Sequence, residues 1–173
     1  TPTRRQRQMC IRDRSIIGMA GSGKTEIGKR LASIFDFDFF DTDQIIEEHF
    51  NKSLQSILEE VGYLELRQIE QSTIKDMQLR NCVVATGGSA IYGDQGMRYL
   101  KNKTVMIFLD VTFETIKDRG INFSDRGFAK DPNLSVADEF HNRLELYNKY
   151  ADFKVDNNSS INQCVEEIIR LVS

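Results

Sequence analysis

The sequence predicts an α/β fold in which a parallel β-sheet is covered by helices on both faces. Short apolar runs alternate along the chain with longer segments of helical periodicity, which is the pattern of βαβ units. A chain of 173 residues with 40% hydrophobic and 28% charged residues has the size and composition of one globular domain. No internal repeat or low-complexity linker divides it. We therefore expect a single core built around one sheet.

The apolar runs are predicted strands, and the periodic segments between them are predicted helices. The strands are Ser15–Gly18, Phe37–Phe40, Cys82–Thr86, Val105–Leu109 and Phe153–Val155. The helices are Lys24–Phe35, Thr42–Phe50, Leu54–Glu60, Leu64–Leu79, Gln95–Lys101, Thr112–Arg119, Val136–Tyr150 and Asn162–Val172. Capping-box spacing, in which a serine is followed three positions later by an acidic or amide residue, marks helix starts at Ser135 and Ser160.

The stretch Gly120–Leu134 lacks periodicity, is polar and contains Pro132. It therefore reads as a long loop, and loops of that length inside compact domains are commonly functional. In an enzyme that transfers phosphate, a lid that closes over the nucleotide is the functional interpretation.

Residues 1–14 differ from the rest of the chain because they are rich in arginine and have little apolar content. A basic nucleic-acid arm or a targeting segment would also be arginine-rich, but the stretch has no apolar segment of a signal peptide. We expect a non-native or disordered N-terminal segment, followed by one domain over residues 15–173.

The overall charge and the cysteines limit the classes of partner. A net charge of −3 favours neither nucleic acid nor an anionic membrane, and no apolar run reaches the length of a membrane span. Cys10, Cys82 and Cys164 are odd in number and lack metal-ligand spacing, which is typical of a reducing cytoplasm.

Residues Gly18–Thr25 match the phosphate-binding pattern G-x-x-x-x-G-K-[ST] between a predicted strand and a predicted helix. Glycines let successive backbone N–H groups point into one concavity, and the helix adds the positive end of its dipole. Lys24 would reach the β- and γ-phosphates, and the Thr25 hydroxyl would ligate Mg²⁺. The segment predicts a nucleoside triphosphate site that includes Gly21, Ser22 and Gly23.

Asp41 and Asp43 follow the second predicted strand, where ligands of open α/β sheets bind. Asp41 would hold Mg²⁺ through water, and Asp43 would accept a hydrogen bond from a substrate hydroxyl and orient or deprotonate it. An alternative is that one of the two only caps the next helix. Asp110, at the end of the fourth strand, is an alternative metal ligand.

Further polar residues suggest a small anionic acceptor. Arg67 and Glu70 share one face of a helix, paired glycines follow the third strand, Arg126 lies in the lid and Arg143 in the helix after it. Arginine binds carboxylate or phosphate with two parallel hydrogen bonds, so this set fits a carboxylate-bearing or phosphorylated small molecule. A surface ion pair between Arg67 and Glu70 is the alternative for that pair.

In this arrangement the chain resembles the shikimate kinases from Ile16 to Val172. The motifs that carry the resemblance occur in the family's order. They are the phosphate loop Gly18–Thr25, the D-x-D motif Asp41–Asp43, the helix motif Gly62–Glu70, the glycine turn Gly87–Ser89, the lid Arg126–Ala129 and the R-x-x-x-Y-x-x-x-A-D motif Arg143–Asp152. The resemblance implies a three-layer α/β/α fold of the P-loop NTPase type with a five-stranded parallel sheet, a mobile lid and a helical substrate-binding segment.

The resemblance also implies a reaction, which is the ATP-dependent phosphorylation of the 3-hydroxyl of shikimate in aromatic amino acid biosynthesis. The implied substrate-binding residues are Asp43, Arg67, Gly88 and Arg143, the implied Mg²⁺ ligands are Thr25 and Asp41, and Arg119 and Arg126 join the phosphate loop in binding ATP. Lys24, Asp43 and Arg126 would carry catalysis. We expect a cytoplasmic monomer that acts on a small molecule.

Departures from the family pattern gather on the acceptor side. Tyr63 and Leu66 replace a glutamate and a phenylalanine, and Ser89 replaces the third glycine of the turn, where its side chain would intrude. The lid Arg126–Ala129 lacks the family's proline and leucines, and the loop at 157–162 lacks an arginine. The sequence therefore leaves two alternatives, a kinase of another hydroxy acid or amino acid such as gluconate or homoserine, and a nucleotide-binding regulatory module without turnover.

Overall fold

Parallel strands form the centre of the protein. The computed structural model describes residues 13–172 and contains a five-stranded sheet in the order β2-β3-β1-β4-β5. The strands are β1 (Arg14–Ile17), β2 (Asp38–Asp41), β3 (Cys82–Ala85), β4 (Val105–Asp110) and β5 (Phe153–Asp156). All neighbouring strands pair in parallel. The predicted fold class is confirmed.

Helices cover both faces of this sheet. They are α1 (Lys24–Phe35), α2 (Thr42–Phe50), α3 (Leu54–Asp76), α4 (Asp94–Lys103), α5 (Phe113–Asp118), α6 (Val136–Tyr150) and α7 (Ile161–Val172), with short 3₁₀ helices at Gly88–Tyr92 and Phe123–Asp125. None of these helices has the combination of length and hydropathy that a membrane span requires, a statement that covers residues 13–172.

Strand β4 shows how two cores arise from one sheet. Because successive side chains of a strand point to opposite faces, Ile107 packs with Leu31 of α1 and Ile168 of α7, whereas Met106 and Phe108 belong to the core on the other face. The burial of both faces explains why the central strands are apolar without interruption.

The register brings the carboxyl ends of the strands to one edge. Ile16 of β1 pairs with Ala85 of β3, and Ala85 pairs with Asp41 of β2. The segments that follow these strands are the phosphate loop, the D-x-D motif and the glycine turn, so they meet at this edge although they are far apart in sequence.

The first strand begins earlier than the sequence predicted. Arg14 pairs with Val83 on one side and Val105 on the other, and it is buried. The carboxylate of Asp13 accepts a hydrogen bond from the N–H of Cys82 at 2.9 Å. The fold therefore includes two residues that we had placed in the N-terminal segment, and the rest of that segment, residues 1–12, lies outside the described residues.

The helices predicted at Leu54–Glu60 and Leu64–Leu79 are the two parts of α3, which is kinked between them. Gly62 interrupts it with φ 83° and ψ 168°, a conformation that glycine adopts without steric strain. Elsewhere the helix predictions are close, and both predicted serine caps are present. Ser135 Oγ accepts from the N–H of Asp138 at 3.1 Å, and Ser160 Oγ accepts from the N–H of Gln163 at 3.4 Å.

Candidate active site

The loop between β1 and α1 has a backbone that requires glycine. Gly21 and Gly23 have φ values of 83° and 99°, in the region that side chains disfavour. A Cβ atom at Gly21 would lie 2.7 Å from Ile121, and one at Gly23 would lie 2.6 Å from Asn157 Nδ2. Helix α1 starts directly after Gly23, so its free N–H groups face the same space as the loop amides.

Lys24 folds back over this loop. Its Nζ donates to the carbonyl oxygens of Gly18 at 2.7 Å and Met19 at 2.9 Å. Burial lowers the pKa of Lys24 to about 8, although the charges of Asp43 and Asp41 act in the opposite direction. A triphosphate beside Nζ would favour the ammonium form further.

Asn157 and Arg119 donate hydrogen bonds to backbone carbonyls of the loop. The carbonyl of Ser22 accepts a hydrogen bond from Asn157 Nδ2 at 2.7 Å. Ser22 is buried, and it does not line the cavity that its neighbours Gly21 and Gly23 border. Arg119 donates to the carbonyl of Gly21 at 2.7 Å and to that of Asn157. The sequence had not singled out Asn157, whose Oδ1 is buried without a hydrogen-bond partner.

A cavity of about 740 Å³ lies at the carboxyl edge of the sheet. Its wall includes most of the predicted site residues, namely Gly21, Gly23, Lys24, Thr25, Asp41, Asp43, Gly88, Arg119, Arg126 and Arg143. Ser22 and Arg67 are the predicted residues that the wall leaves out. The cavity therefore joins the phosphate loop to the acceptor side of the site.

Thr25 and Asp41 contact each other on the cavity wall. Thr25 Oγ1 donates a hydrogen bond to Asp41 Oδ2 at 3.0 Å, so the two side chains that would hold Mg²⁺ are adjacent. Asp41 also caps α2, because its Oδ1 accepts from the N–H of Asp43 at 2.9 Å. The capping role that the sequence offered as an alternative is therefore present, and the role of Asp41 as a metal ligand stays a prediction.

Ligands of Mg²⁺ other than Thr25 and Asp41 would be phosphate oxygens and water. Within residues 13–172 no group of three or more histidine, cysteine, aspartate or glutamate side chains is arranged to hold a metal ion. Mg²⁺ suits such a site, since it commonly takes one or two carboxylates together with phosphate oxygens and water. Asp110, the alternative ligand, is off the cavity wall, and its Oδ2 is 3.9 Å from Lys154 Nζ.

Asp43 is on the cavity wall, and one of its carboxylate oxygens is buried against Gly87. Its Oδ1 is buried and has no hydrogen-bond partner, and a Cβ atom at Gly87 would lie only 2.3 Å from it. Burial, followed by the charge of Asp41, raises the pKa of Asp43 to about 6. At neutral pH this carboxylate is mostly ionised and free to accept a hydrogen bond from an alcohol.

Glu70 pairs with Ser89 and not with Arg67. Ser89 Oγ donates to Glu70 Oε2 in the buried interior, and burial together with Asp43 raises the pKa of Glu70 to about 8. Ser89 and Glu70 both line the cavity, and residues 88–92 form a 3₁₀ helix in which the Ser89 hydroxyl contacts Glu70. The surface ion pair between Arg67 and Glu70 is also absent from the ion pairs of the described residues.

Arg143 reaches the cavity from α6 although it is buried. Its Nε donates to Glu139 Oε1 at 2.7 Å, and its Nη2 donates to the carbonyl of Ala129 at 2.7 Å. The Nη1 atom lies opposite Gly88, where a Cβ atom would approach it to 2.8 Å. The guanidinium is thus held on two sides and directed toward the glycine turn.

Arg67 lies behind the cavity wall. Its Nη2 is 3.3 Å from both Glu139 Oε1 and the carbonyl of Ala129, and its guanidinium lies 3.8 Å from the ring centroid of Tyr92. Sequence reasoning missed Glu139 and Tyr92. The position of Glu139, four residues before Arg143 on one helix, was the signal that could have found it.

The lid sequence Arg126–Ala129 lies against α3. The N–H of Gly127 donates to Gln55 Oε1 at 2.9 Å, and Ala129 packs in a small core with Leu54 and Ile57. The ring of Phe128 lies 4.3 Å from the Arg143 guanidinium. Arg126 is exposed and lines the cavity, so the lid brings a cation to the mouth of the site.

Comparison with known proteins places the chain in a family. The family model described as shikimate kinase matches residues 20–173. The shikimate kinase of Staphylococcus epidermidis is 32% identical over 149 residues, covering 86% of this chain and 88% of that protein. That of Rippkaea orientalis is 35% identical over 164 residues, covering 91% and 86%.

Solved structures agree with this fold. The shikimate kinase of Aquifex aeolicus superposes with a TM-score of 0.81 at 27% identity, covering 92% of this chain and 95% of that one. The shikimate kinase of Acinetobacter baumannii in complex with shikimate gives 0.82 at 23% identity, covering 97% and 96%. The chain belongs to the shikimate kinase family.

Proposed function

We propose that this protein transfers the γ-phosphoryl group of ATP to the 3-hydroxyl of shikimate, yielding shikimate 3-phosphate and ADP. The observation that carries the proposal is that one cavity has Lys24, Asp43 and Arg143 on its wall. Family membership supports the same reaction.

On the donor side, the loop amides and Lys24 would bind the phosphates, and Arg126 would approach them from the lid. Mg²⁺, held by Thr25 and Asp41, would neutralise charge on the β- and γ-phosphate oxygens. Phosphoryl transfer requires little covalent participation from the protein, so positioning and charge stabilisation supply most of the rate.

On the acceptor side, the carboxylate of Asp43, which is on the cavity wall, would accept the hydrogen bond of the reacting hydroxyl and orient it toward the γ-phosphate. The Arg143 guanidinium would bind the acceptor's carboxylate beside Gly88. An acceptor that carries both a carboxylate and a hydroxyl fits this arrangement, and shikimate has both.

A panel of acceptors tests the proposal. With ATP and Mg²⁺, shikimate should give the highest kcat/KM among shikimate, gluconate and homoserine. The departures at Ser89 and in the lid give reason to include the last two. A clear preference for gluconate or homoserine would reject shikimate as the acceptor. Tight ATP binding without a phosphorylated product from any acceptor would favour the regulatory module.

A monomeric and cytoplasmic enzyme is part of the same proposal. Cys82 and Cys164 are free and buried, which suits a reducing compartment. Sedimentation at enzymatic concentrations would test the monomer, and a mass near twice 19.9 kDa would reject it.

A further inference from the structure

Tyr92 contacts the charged side chains of the acceptor side. Its ring centroid lies 3.8 Å from the guanidinium of Arg67 and 5.8 Å from that of Arg143. Its hydroxyl donates a hydrogen bond to Glu139 Oε1 at 2.9 Å. One side chain at the end of the 3₁₀ helix therefore joins an arginine of α3 and an arginine of α6 to the carboxylate that both of them contact.

The two arginines also bind the same two oxygen atoms. Glu139 Oε1 accepts from Arg143 Nε at 2.7 Å and from Arg67 Nη2 at 3.3 Å. The carbonyl oxygen of Ala129 accepts from Nη2 of Arg143 at 2.7 Å and from Nη2 of Arg67 at 3.3 Å. Because these contacts are shared, the position of one guanidinium depends on the position of the other. Arg143 is on the cavity wall, and Arg67 Nε is buried without a hydrogen-bond partner among residues 13–172, so the pair keeps donors for an anion.

Aromatic rings restrict the guanidinium of Arg67. Its two hydrogen bonds of 3.3 Å are longer than usual, so they hold it only weakly. The ring of Tyr92 at 3.8 Å and that of Tyr63 at 4.9 Å add cation–π contacts, which are stronger because the side chain of Arg67 is only 16% exposed. An arginine that is fixed before binding loses less conformational entropy when it binds a carboxylate.

We propose that Tyr92, together with Tyr63, is a positioning residue of the acceptor site, whose ring fixes Arg67 beside Arg143 so that the two guanidiniums are set to bind the acceptor's carboxylate. The inference rests on the proposed function, because it concerns the acceptor of the same cavity. Neither tyrosine lines the cavity, so both act through the arginines. Their effect should therefore depend on the negative charge of the acceptor.

The variants Tyr92→Leu and Tyr92→Phe separate the ring from the hydroxyl. Leucine removes both, so KM for shikimate should rise about tenfold while kcat and KM for ATP change little. Phenylalanine keeps the ring beside Arg67 and loses only the hydrogen bond to Glu139, which retains both arginines. Tyr92→Phe should therefore keep KM for shikimate within about twofold of the unsubstituted value. Steady-state kinetics with ATP and Mg²⁺ measures these constants.

A neutral acceptor distinguishes a positioning role from a general loss of packing. The methyl ester of shikimate lacks the negative charge, so its affinity, measured by titration, should be the same in Tyr92→Leu and in the unsubstituted enzyme. Tyr99→Leu is the matched control. Tyr99 packs against the same core as Tyr92, but its hydroxyl donates to the carbonyl of Met77 at 2.6 Å. This variant should lose stability and keep its KM for shikimate.

Tyr63→Leu is a second test, in case Tyr92→Leu does not fold. Tyr63 lies farther from the same guanidinium, so its removal should raise KM for shikimate by about threefold and leave the affinity for the methyl ester unchanged. If Tyr92→Leu does not fold, an unchanged KM for shikimate in Tyr63→Leu would overturn the inference.

The outcomes separate this inference from the proposed function. The inference alone would be overturned if KM for shikimate did not rise in Tyr92→Leu, or if the affinity for the methyl ester fell equally. A rise in Tyr92→Phe as large as that in Tyr92→Leu would also overturn it, because the ring would then have no role. No shikimate turnover by the unsubstituted enzyme would contradict the proposed function and this inference with it.

Discussion

The donor and acceptor sides of the cavity hold their charged groups in different ways. On the donor side, backbone carbonyls of Gly18 and Met19 hold Lys24, and glycine backbone shapes the loop. On the acceptor side, side chains from separate elements hold one another, as in the contact of Arg67 with Glu139, 72 residues away. Phosphate binding is therefore a local property of one segment, and acceptor binding is a property of the assembled fold.

The largest effect should come from the donor side. Lys24→Met removes the cation of the phosphate loop, so kcat should fall by about 10²–10³-fold and ATP binding should weaken as well. Lys29→Met is the control, because Lys29 is exposed on the same helix. Steady-state kinetics and nucleotide titration measure both effects. Unchanged ATP affinity in Lys24→Met would remove the distinction between the two sides.

On the acceptor side, Gly88→Ala should act through Arg143. The new Cβ would lie 2.8 Å from Nη1, and the guanidinium cannot move away without breaking its bonds to Glu139 and Ala129. We expect KM for the acceptor to rise about tenfold with ATP affinity unchanged, since small misplacements of a binding group are costly.

Gly96→Ala is the matched control for this substitution. Its Cβ would meet Gln71 at ordinary contact distances of 3.5 Å or more, in the first turn of α4. Alanine also has the higher helix propensity, so this variant should keep its kinetics and gain a little stability. A rise in KM for both variants would point to a general loss of packing and not to Arg143.

The last effect concerns stability and not kinetics. Because the pKa of Glu70 is raised from 4.5 to about 8, the folded state binds more protons than the unfolded state between these values. The contribution of Glu70 to the free energy of unfolding should therefore be largest at low pH. It should be lost as the pH rises through about 8. Glu70→Gln should remove this part of the pH dependence.

Urea unfolding from pH 5 to pH 8 measures this difference. Glu65→Gln, exposed on the same helix, should keep the slope of the unsubstituted protein. Some slope should remain below pH 6 in Glu70→Gln, because the pKa of Asp43 is also raised. Identical slopes in all three proteins would show that Glu70 is ionised in the folded state.

The same difference between the two sides explains what the sequence could predict. The phosphate loop and the Asp41–Asp43 motif each lie within one short segment, and both lie on the wall of the cavity. Periodicity also predicted the strands of the sheet to within a residue or so at each end. A pattern within one short segment is enough to predict a strand or a phosphate loop, because it depends on no distant residue.

The acceptor side depends on contacts that no local pattern contains. Arg67 contacts Glu139 on α6 and stacks on the ring of Tyr92. The alternative prediction, an ion pair between Arg67 and the nearby Glu70, was therefore wrong. Ser89 was expected to intrude into the site and it does line the cavity, but the sequence did not predict that its hydroxyl contacts Glu70. In both cases the contacts of the folded protein, and not proximity in the sequence, determine the partner of the side chain.

The central claim is that Asp43 serves the acceptor while Lys24 serves the nucleotide. The most direct measurement is ATP affinity and turnover in Asp43→Asn beside Lys24→Met. Asp43→Asn should lose about 10²–10⁴-fold in kcat without any weakening of ATP binding. Loss of ATP affinity equal to that of Lys24→Met, or retention of full turnover, would contradict this division of roles.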